Sequence, residues 1–194
     1  MKNTLTVLAL DQATQTGWAV GDMNSFEART VEFGNIKMLK REFMGERLLM
    51  LSETLGEIIA HYKPGLIALE HPYWPQPGKK KPGEEDEAPK VSAHILQFLQ
   101  KVCAVVELEA TRHGLPYEMY YPSSWRKTFL GYGRKPPGAD ADHMKKAAVQ
   151  KARVLGYKVD VHDEADAIGI LMHALHGPPA NARAQDDLLS MVKL

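Results

Sequence analysis

Four carboxylates stand where a folded domain has little ordinary use for them. Asp11 and Glu70 each follow directly on a short apolar run, Leu5 to Leu10 and Leu66 to Leu69. Such runs predict buried strands, and an unpaired carboxylate at the end of one is costly. Asp163 and Asp166 lie three apart in a segment of helical period, which puts both on one helix face. Ala165, Ala167 and Gly169 beside them are small enough to let that helix sit close to a sheet. Acids converging from two strand ends and one helix would form a compact cluster of oxygen ligands, suited to hard cations such as Mg2+ or Mn2+. Two such ions about 4 Å apart can activate a water and stabilise the leaving oxygen of a phosphodiester. The cations would also let the like charges tolerate one another. Singly, each acid has a plainer reading. An Asp or Glu after a strand often serves a turn or a cap, and the Asp163/Asp166 pair could simply favour a helix N-terminus. It is the set, in this order, that is specific.

The elements that would position these acids follow from the hydrophobic pattern. Residues 5–10 read as a buried strand, Trp18 to Val20 as a short second one, and Thr30 to Met38 as an alternating third. Short connections between them predict an antiparallel meander. Met44, Leu48, Leu51, Leu55, Ile58 and Tyr62 form one stripe of a helix over about 42–62, stopped by Pro64-Gly65. After the strand at 66–69, a second long helix fits 91–113, with Val91, Ile95, Phe98, Val102 and Val105 on one face. Tyr117 to Tyr121 is a further strand, and Ser123-Ser124 could cap a short helix through Phe129. Gly131 to Asp142 reads as a loop, followed by helices at about 143–155 and 163–176. The expected fold is α/β, a mixed central sheet of about five strands flanked by helices, in one domain over 1–180. A Pro-, Lys- and Glu-rich stretch at about 72–90 reads as a flexible loop, and 181–194 as a C-terminal tail.

Leu10-Asp11-Gln12-Ala13-Thr14-Gln15-Thr16-Gly17-Trp18 resembles the first motif of the RuvC-type Holliday-junction resolvases. Ile67-Ala68-Leu69-Glu70 is similar to their second motif, and Asp163-Glu164-Ala165-Asp166-Ala167 to the terminal Asp-x-x-Asp-Ala motif. The resemblance covers about 10–176 and points to a divergent member of the bacteriophage type. It implies a ribonuclease H-like fold and four catalytic, metal-binding acids: Asp11, Glu70, Asp163 and Asp166. It further implies Mg2+, with Mn2+ as a substitute, and a homodimer that makes paired symmetric nicks in a four-way DNA junction. The chain departs from the family pattern at Asp11-Gln12-Ala13, where the motif begins Asp-Pro-Gly, and in its long charged loop after Glu70.

Between Trp125 and Asp160 nine basic residues face only three acids, a local excess hidden within a formal net charge of +0. Such a surface suits phosphate contacts, although a solvated helix face is the plainer account of Lys151, Arg153 and Lys158. Trp125-Arg126-Lys127 and Lys145-Lys146 flank the Gly-rich loop. By the resemblance, Arg126 falls where the family places a Lys, and Lys145 lies near a second. Arg126, Lys127, Lys145 and Lys146 are therefore DNA-binding candidates. Tyr73 and Trp74, just after Glu70, are candidates for stacking on unpaired bases, the Tyr73 position carrying an aromatic with that role in the family. His162 could join metal or water chemistry, or serve as a cap or surface His.

The rest of the composition mainly excludes. A single cysteine, Cys103, builds neither a disulfide framework nor a zinc site. No stretch approaches the roughly 20 apolar residues that span a bilayer, and the N-terminal run is too short for a secretory core. The expectation is a bacterial cytoplasmic protein with no membrane partner. No P-loop is present, and actin-like ATPases or sugar kinases of the same fold need two such domains. A structure-selective nuclease acting on flaps, forks or structured RNA remains an alternative. So does a non-catalytic nucleic-acid-binding module, although all four acids are retained.

Overall fold

The computed structural model describes residues 4–38, 43–72 and 92–177. Tyr73 and Trp74, the loop placed at 72–90 apart from Pro72, and the 181–194 tail lie outside the described residues.

The chain runs β1 (Val7–Asp11), β2 (Gln15–Gly21), α1 (Met23–Glu27), β3 (Glu32–Lys37), α2 (Met44–Tyr62), β4 (Leu66–Glu70), α3 (Ala93–Arg112), β5 (Tyr117–Tyr120), α4 (Pro122–Leu130), α5 (His143–Val154) and α6 (His162–His176). The five strands form one sheet in the order β3-β2-β1-β4-β5. β1, β2 and β3 are the expected antiparallel meander, while β4 lies parallel to β1 and β5 parallel to β4. This is the mixed sheet with flanking helices that the pattern predicts.

Strand alternation splits the core in two. On one face Val7, Ala9, Ala19 and Ala68 meet Trp125, Phe129, Ala165 and Ile168 of α4 and α6. On the other, Leu8, Leu10, Ile67 and Leu69 pack against Leu51, Leu55, Phe98 and Val102 of α2 and α3. Because side chains alternate with period two, Asp11 continues the Val7–Ala9 row and Glu70 continues the Ala68 row. Both acids are thereby delivered to the α6 face, where the strand side chains are smaller and a helix can come close.

Two local expectations need correction, and one short element had no expectation attached to it. Tyr121, not a serine, is the N-cap of α4; Pro122 opens the helix, where its missing N–H costs nothing, and Ser123 and Ser124 lie inside it. On α3 the buried stripe runs through Phe98, Val102, Cys103, Val106, Glu109 and Ala110, while Ile95 is half exposed. Val91 is outside the described residues. Finally, Asp22 caps a short helix, α1, its Oδ1 accepting from Ser25 N–H at 2.7 Å; a five-residue element has too short a pattern to be read as a helix.

Candidate active site

Gly17 determines how near α6 comes to the sheet. A Cβ at this position would lie 2.0 Å from the Asp163 carbonyl oxygen, so only glycine lets β2 meet the first turn of α6. Gly169 does not serve the sheet as expected; its missing side chain makes room for Trp125 and Phe129, so that α4 packs on α6. Glu164 then fixes the helix start. Its Oε2 accepts from the Asp160 N–H at 2.8 Å, and its Oε1 from Asn35 Nδ2 of β3 at 2.7 Å. Asp163 and Asp166, flanking Glu164 on the first two turns, are held over the ends of β1 and β4.

The four acids thus meet in one crevice, and they are poorly neutralised there. Burial pushes the Asp11 carboxyl well above the usual range, and Glu70, Asp166 and Asp163 push it further. Asp166 rises to about 8 through burial, with Glu70 and Asp163 adding to it. Burial likewise raises Glu70 and Asp163. Arg126 draws Asp11, Glu70 and Asp166 back down, and Lys145 does so for Asp163 and Asp166. Burial is the first cause at all four acids, and neighbouring like charge adds to it at Asp11, Asp163 and Asp166.

Trp125 is buried and its Nε1–H donates to Glu70 Oε2 at 2.7 Å. It therefore holds a carboxylate from inside the core, a role that the sequence did not suggest. Its spacing from Phe129, four residues on in the same helix, is the signal for burial that was available. Arg126 is half-buried, with its guanidinium 4.9 Å over the Trp125 ring. Lys127 is exposed on the same helix. Lys145 reaches His162, Nζ to Nε2 at 3.3 Å, and His162 Nδ1 lies 2.9 Å from Asp163 Oδ1 without the alignment of a hydrogen bond. Lys146 instead pairs with Asp140 at 2.9 Å. An open cavity of about 880 Å³ runs beside this end of α6, lined by Gln15, Lys145, Lys146, Gln150, Arg153 and Asp163 among others. Of the four acids only Asp163 lines it.

Among the described residues no three His, Cys, Asp or Glu side chains are grouped closely enough to hold a metal ion as they stand. The donor set nevertheless fits a hard divalent cation. It is all oxygen, crowded, largely desolvated and short of positive charge.

No family model matches the chain. The crossover junction endodeoxyribonuclease RuvC of Rhizobium rhizogenes is 26% identical over 186 residues, which covers 95% of this chain and 97% of that protein. The protein of the same name from Corynebacterium glutamicum is 32% identical over 142 residues, covering 73% of this chain and 55% of its own. Among solved structures, Thermus thermophilus RuvC in complex with Holliday junction substrate aligns with a TM-score of 0.62 at 18% identity, covering 89% of this chain and 94% of that one. The fold is ribonuclease H-like, as the sequence motifs imply.

Proposed function

We infer that this chain, which belongs to the RuvC family, is a metal-dependent endonuclease that resolves four-way DNA junctions by paired symmetric nicks. The observation that carries the reading is the crevice itself: four carboxylates from β1, β4 and α6, desolvated and mutually repelling, with Arg126 and Lys145 beside them. A structural site does not gather acids in this way without partners for them.

Asp11, Glu70, Asp163 and Asp166 would hold the metal. Divalent cations bound there, Mg2+ or Mn2+, supply water activation and charge neutralisation at a phosphodiester. The chain's own groups do the rest. Trp125 fixes the rotamer of Glu70 by its indole hydrogen bond. Glu164 and Gly17 seat the α6 carboxylates against the sheet. Arg126, near three of the acids, is placed to hold the phosphate and offset charge that develops on it. Lys145 and Lys146 give the cavity beside Asp163 a basic wall on which the flanking backbone can lie, and Lys127 adds to the basic surface of α4. Tyr73 and Trp74 are assigned to base stacking on sequence grounds alone. Two-fold placement of the nicks requires two such sites, hence a homodimer. With one cysteine and DNA as substrate, the bacterial cytoplasm is the place of action.

The test is cleavage of a labelled four-way junction with Mg2+, beside flap, fork, linear duplex and structured-RNA controls. Paired nicks on opposing strands of the junction, lost in Asp11→Asn, are the expected result. Equal cleavage of every branched form would make it a general debranching nuclease. Cleavage of RNA alone, or of nothing, would overturn the assignment. A monomer on DNA would overturn paired nicking.

A further inference from the structure

The parallel pairing of β1 with β4 runs from Val7 opposite Leu66 to Leu10 opposite Leu69 and ends there. Beyond it Asp11 pairs on its other side with Gly17 of β2, and Glu70 with Tyr120 of β5. In a strand the peptide groups of alternate residues face opposite neighbours. His71 N–H accordingly turns to the Tyr120 carbonyl at 2.8 Å, while the N–H and C=O of Glu70 face the departing β1. Gln12 occupies that gap with its side chain. Glu70 N–H donates to Gln12 Oε1 at 3.1 Å, and Gln12 Nε2 donates to the Glu70 carbonyl at 3.1 Å. A primary carboxamide carries the same donor and acceptor as a peptide unit, so the side chain extends the β1–β4 ladder by one step. On the side of α3, Gln12 Nε2 also lies 3.9 Å from Cys103 Sγ, whose thiol in turn reaches Glu107 Oε1 at 3.6 Å.

We propose that Gln12 is a positioning residue, whose amide ties the backbone of Glu70 to the residue next to Asp11 and so sets the separation of the two strand-borne carboxylates. This rests on the assignment of Asp11 and Glu70 to the metal site. The tie opposes a definite force, because two neighbouring carboxylates in a desolvated crevice push their strand ends apart. Proline, which the family motif carries at this position, has no side-chain hydrogen bond to offer; in this chain the link comes from the amide. Leucine or methionine at position 12 would fill similar space and tie nothing.

The test uses the full chain and terbium(III) as the metal probe, read by its luminescence, with wild type beside Gln12→Met and Gln12→Asn. Gln12→Met should weaken terbium binding on the order of 10-fold, with affinity for a four-way junction in EDTA within twofold of wild type. Gln12→Asn, which keeps an amide on a shorter stem, should fall between the two. An unchanged terbium titration in a folded Gln12→Met protein would overturn the proposal. If that variant does not fold, amide exchange in the wild type decides. The Glu70 N–H and the Gln12 side-chain amide protons should be protected like the adjoining strand, and exchange at free rates would overturn it. A wild type that binds no terbium refutes the metal-site reading instead, an outcome distinct from a wild type that binds and a variant that binds equally well.

Discussion

Glu109, in the layer between α2 and α3, and Asp166, on the opposite face of the sheet, are both buried acids, but their surroundings differ in kind. Glu109 accepts from Ser52 Oγ at 2.5 Å and from Arg112 at 2.6 Å, with His113 at 3.7 Å. One carboxylate there has a hydroxyl, a guanidinium and an imidazole. Asp166 shares its crevice with Asp11, Glu70 and Asp163, and the main cations near them are Arg126 and Lys145. The first arrangement is complete in itself, as a buried charge must be if its only role is to hold two helices together. The second is complete only with added positive charge. Burial alone therefore does not distinguish the two acids; the shortage of partners does, and it is on this difference that the metal-site proposal rests.

The sharpest break between the two regions is in activity. Asp11→Asn should lower junction cleavage by on the order of 10³-fold or more, equivalent to about 4 kcal/mol of barrier, while junction binding in EDTA persists. Glu109→Gln should leave the cleavage rate of the folded protein within about twofold, the margin of an acid that touches no reacting group. Single-turnover rates on a labelled junction measure both. A comparable loss in the two variants would erase the distinction.

In stability the order reverses. Glu109→Ala leaves the Ser52 hydroxyl and Arg112 without their acceptor. Arg112 is more than half exposed and can turn to water, so the cost stays near the low end for a broken buried pair, about 2 kcal/mol. For a chain of this length that lowers Tm by roughly 4–8 °C. Calorimetry of the metal-free protein is the measurement, and an unchanged Tm would show that the Glu109 network holds nothing.

How far these contrasts could be read from sequence depends on the range of the interaction. Asp11 and Glu70 were legible because each ends an apolar run, and alternation alone sends both to the α6 face. Asp163 and Asp166 were legible from their helical spacing. Glu109 falls on the α3 stripe eleven residues after Phe98 and seven after Val102, so an acid on an apolar face was there to be noticed. Its partner Ser52 sits 57 residues away on another helix, and no local pattern couples them. The same limit hid the link from Trp125 to Glu70, 55 residues apart. Gly17 was visible as half of a Thr-Gly pair. That it faces the Asp163 carbonyl depends on the packing of α6 over β2, a tertiary fact.

Removing an acid from the crevice should do what removing Glu109 does not: stabilise the metal-free fold. Asp166 titrates at about 8 in the folded chain against 3.8 when free. Between those pH values the native state keeps a proton that the unfolded chain has released. Stability therefore falls as pH rises through that window, and the whole penalty is felt above it. Asp166→Asn removes this slope. In EDTA at pH 8 the variant should be the more stable of the two and melt at the higher temperature, and near pH 4 the two proteins should melt together. Added Mg2+ should reverse the order, since it stabilises only the protein that retains its ligand set. A wild type no less stable than the variant at pH 8 in EDTA would mean that the crevice acids are already satisfied, and the contrast with Glu109 would be lost.

The smallest effect separates the crevice from its own rim. Lys145 reaches His162 and lowers the Asp163 and Asp166 carboxyls, whereas the neighbouring Lys146 pairs with Asp140 on the exposed surface. An exposed ion pair contributes little to folding, so Lys146→Ala should leave Tm unchanged. If the cavity wall carries DNA backbone, the same substitution removes one phosphate contact. The slope of log affinity against log salt should then become shallower by about one. Lys145→Ala should show that slope change and, in addition, a fall in single-turnover rate on the order of 10-fold, because its charge acts on the carboxylates as well as on the DNA. If both variants lost rate alike, the rim and the crevice would be one functional surface. If neither altered the salt slope, the DNA would lie elsewhere, and the cavity beside Asp163 would no longer be its track.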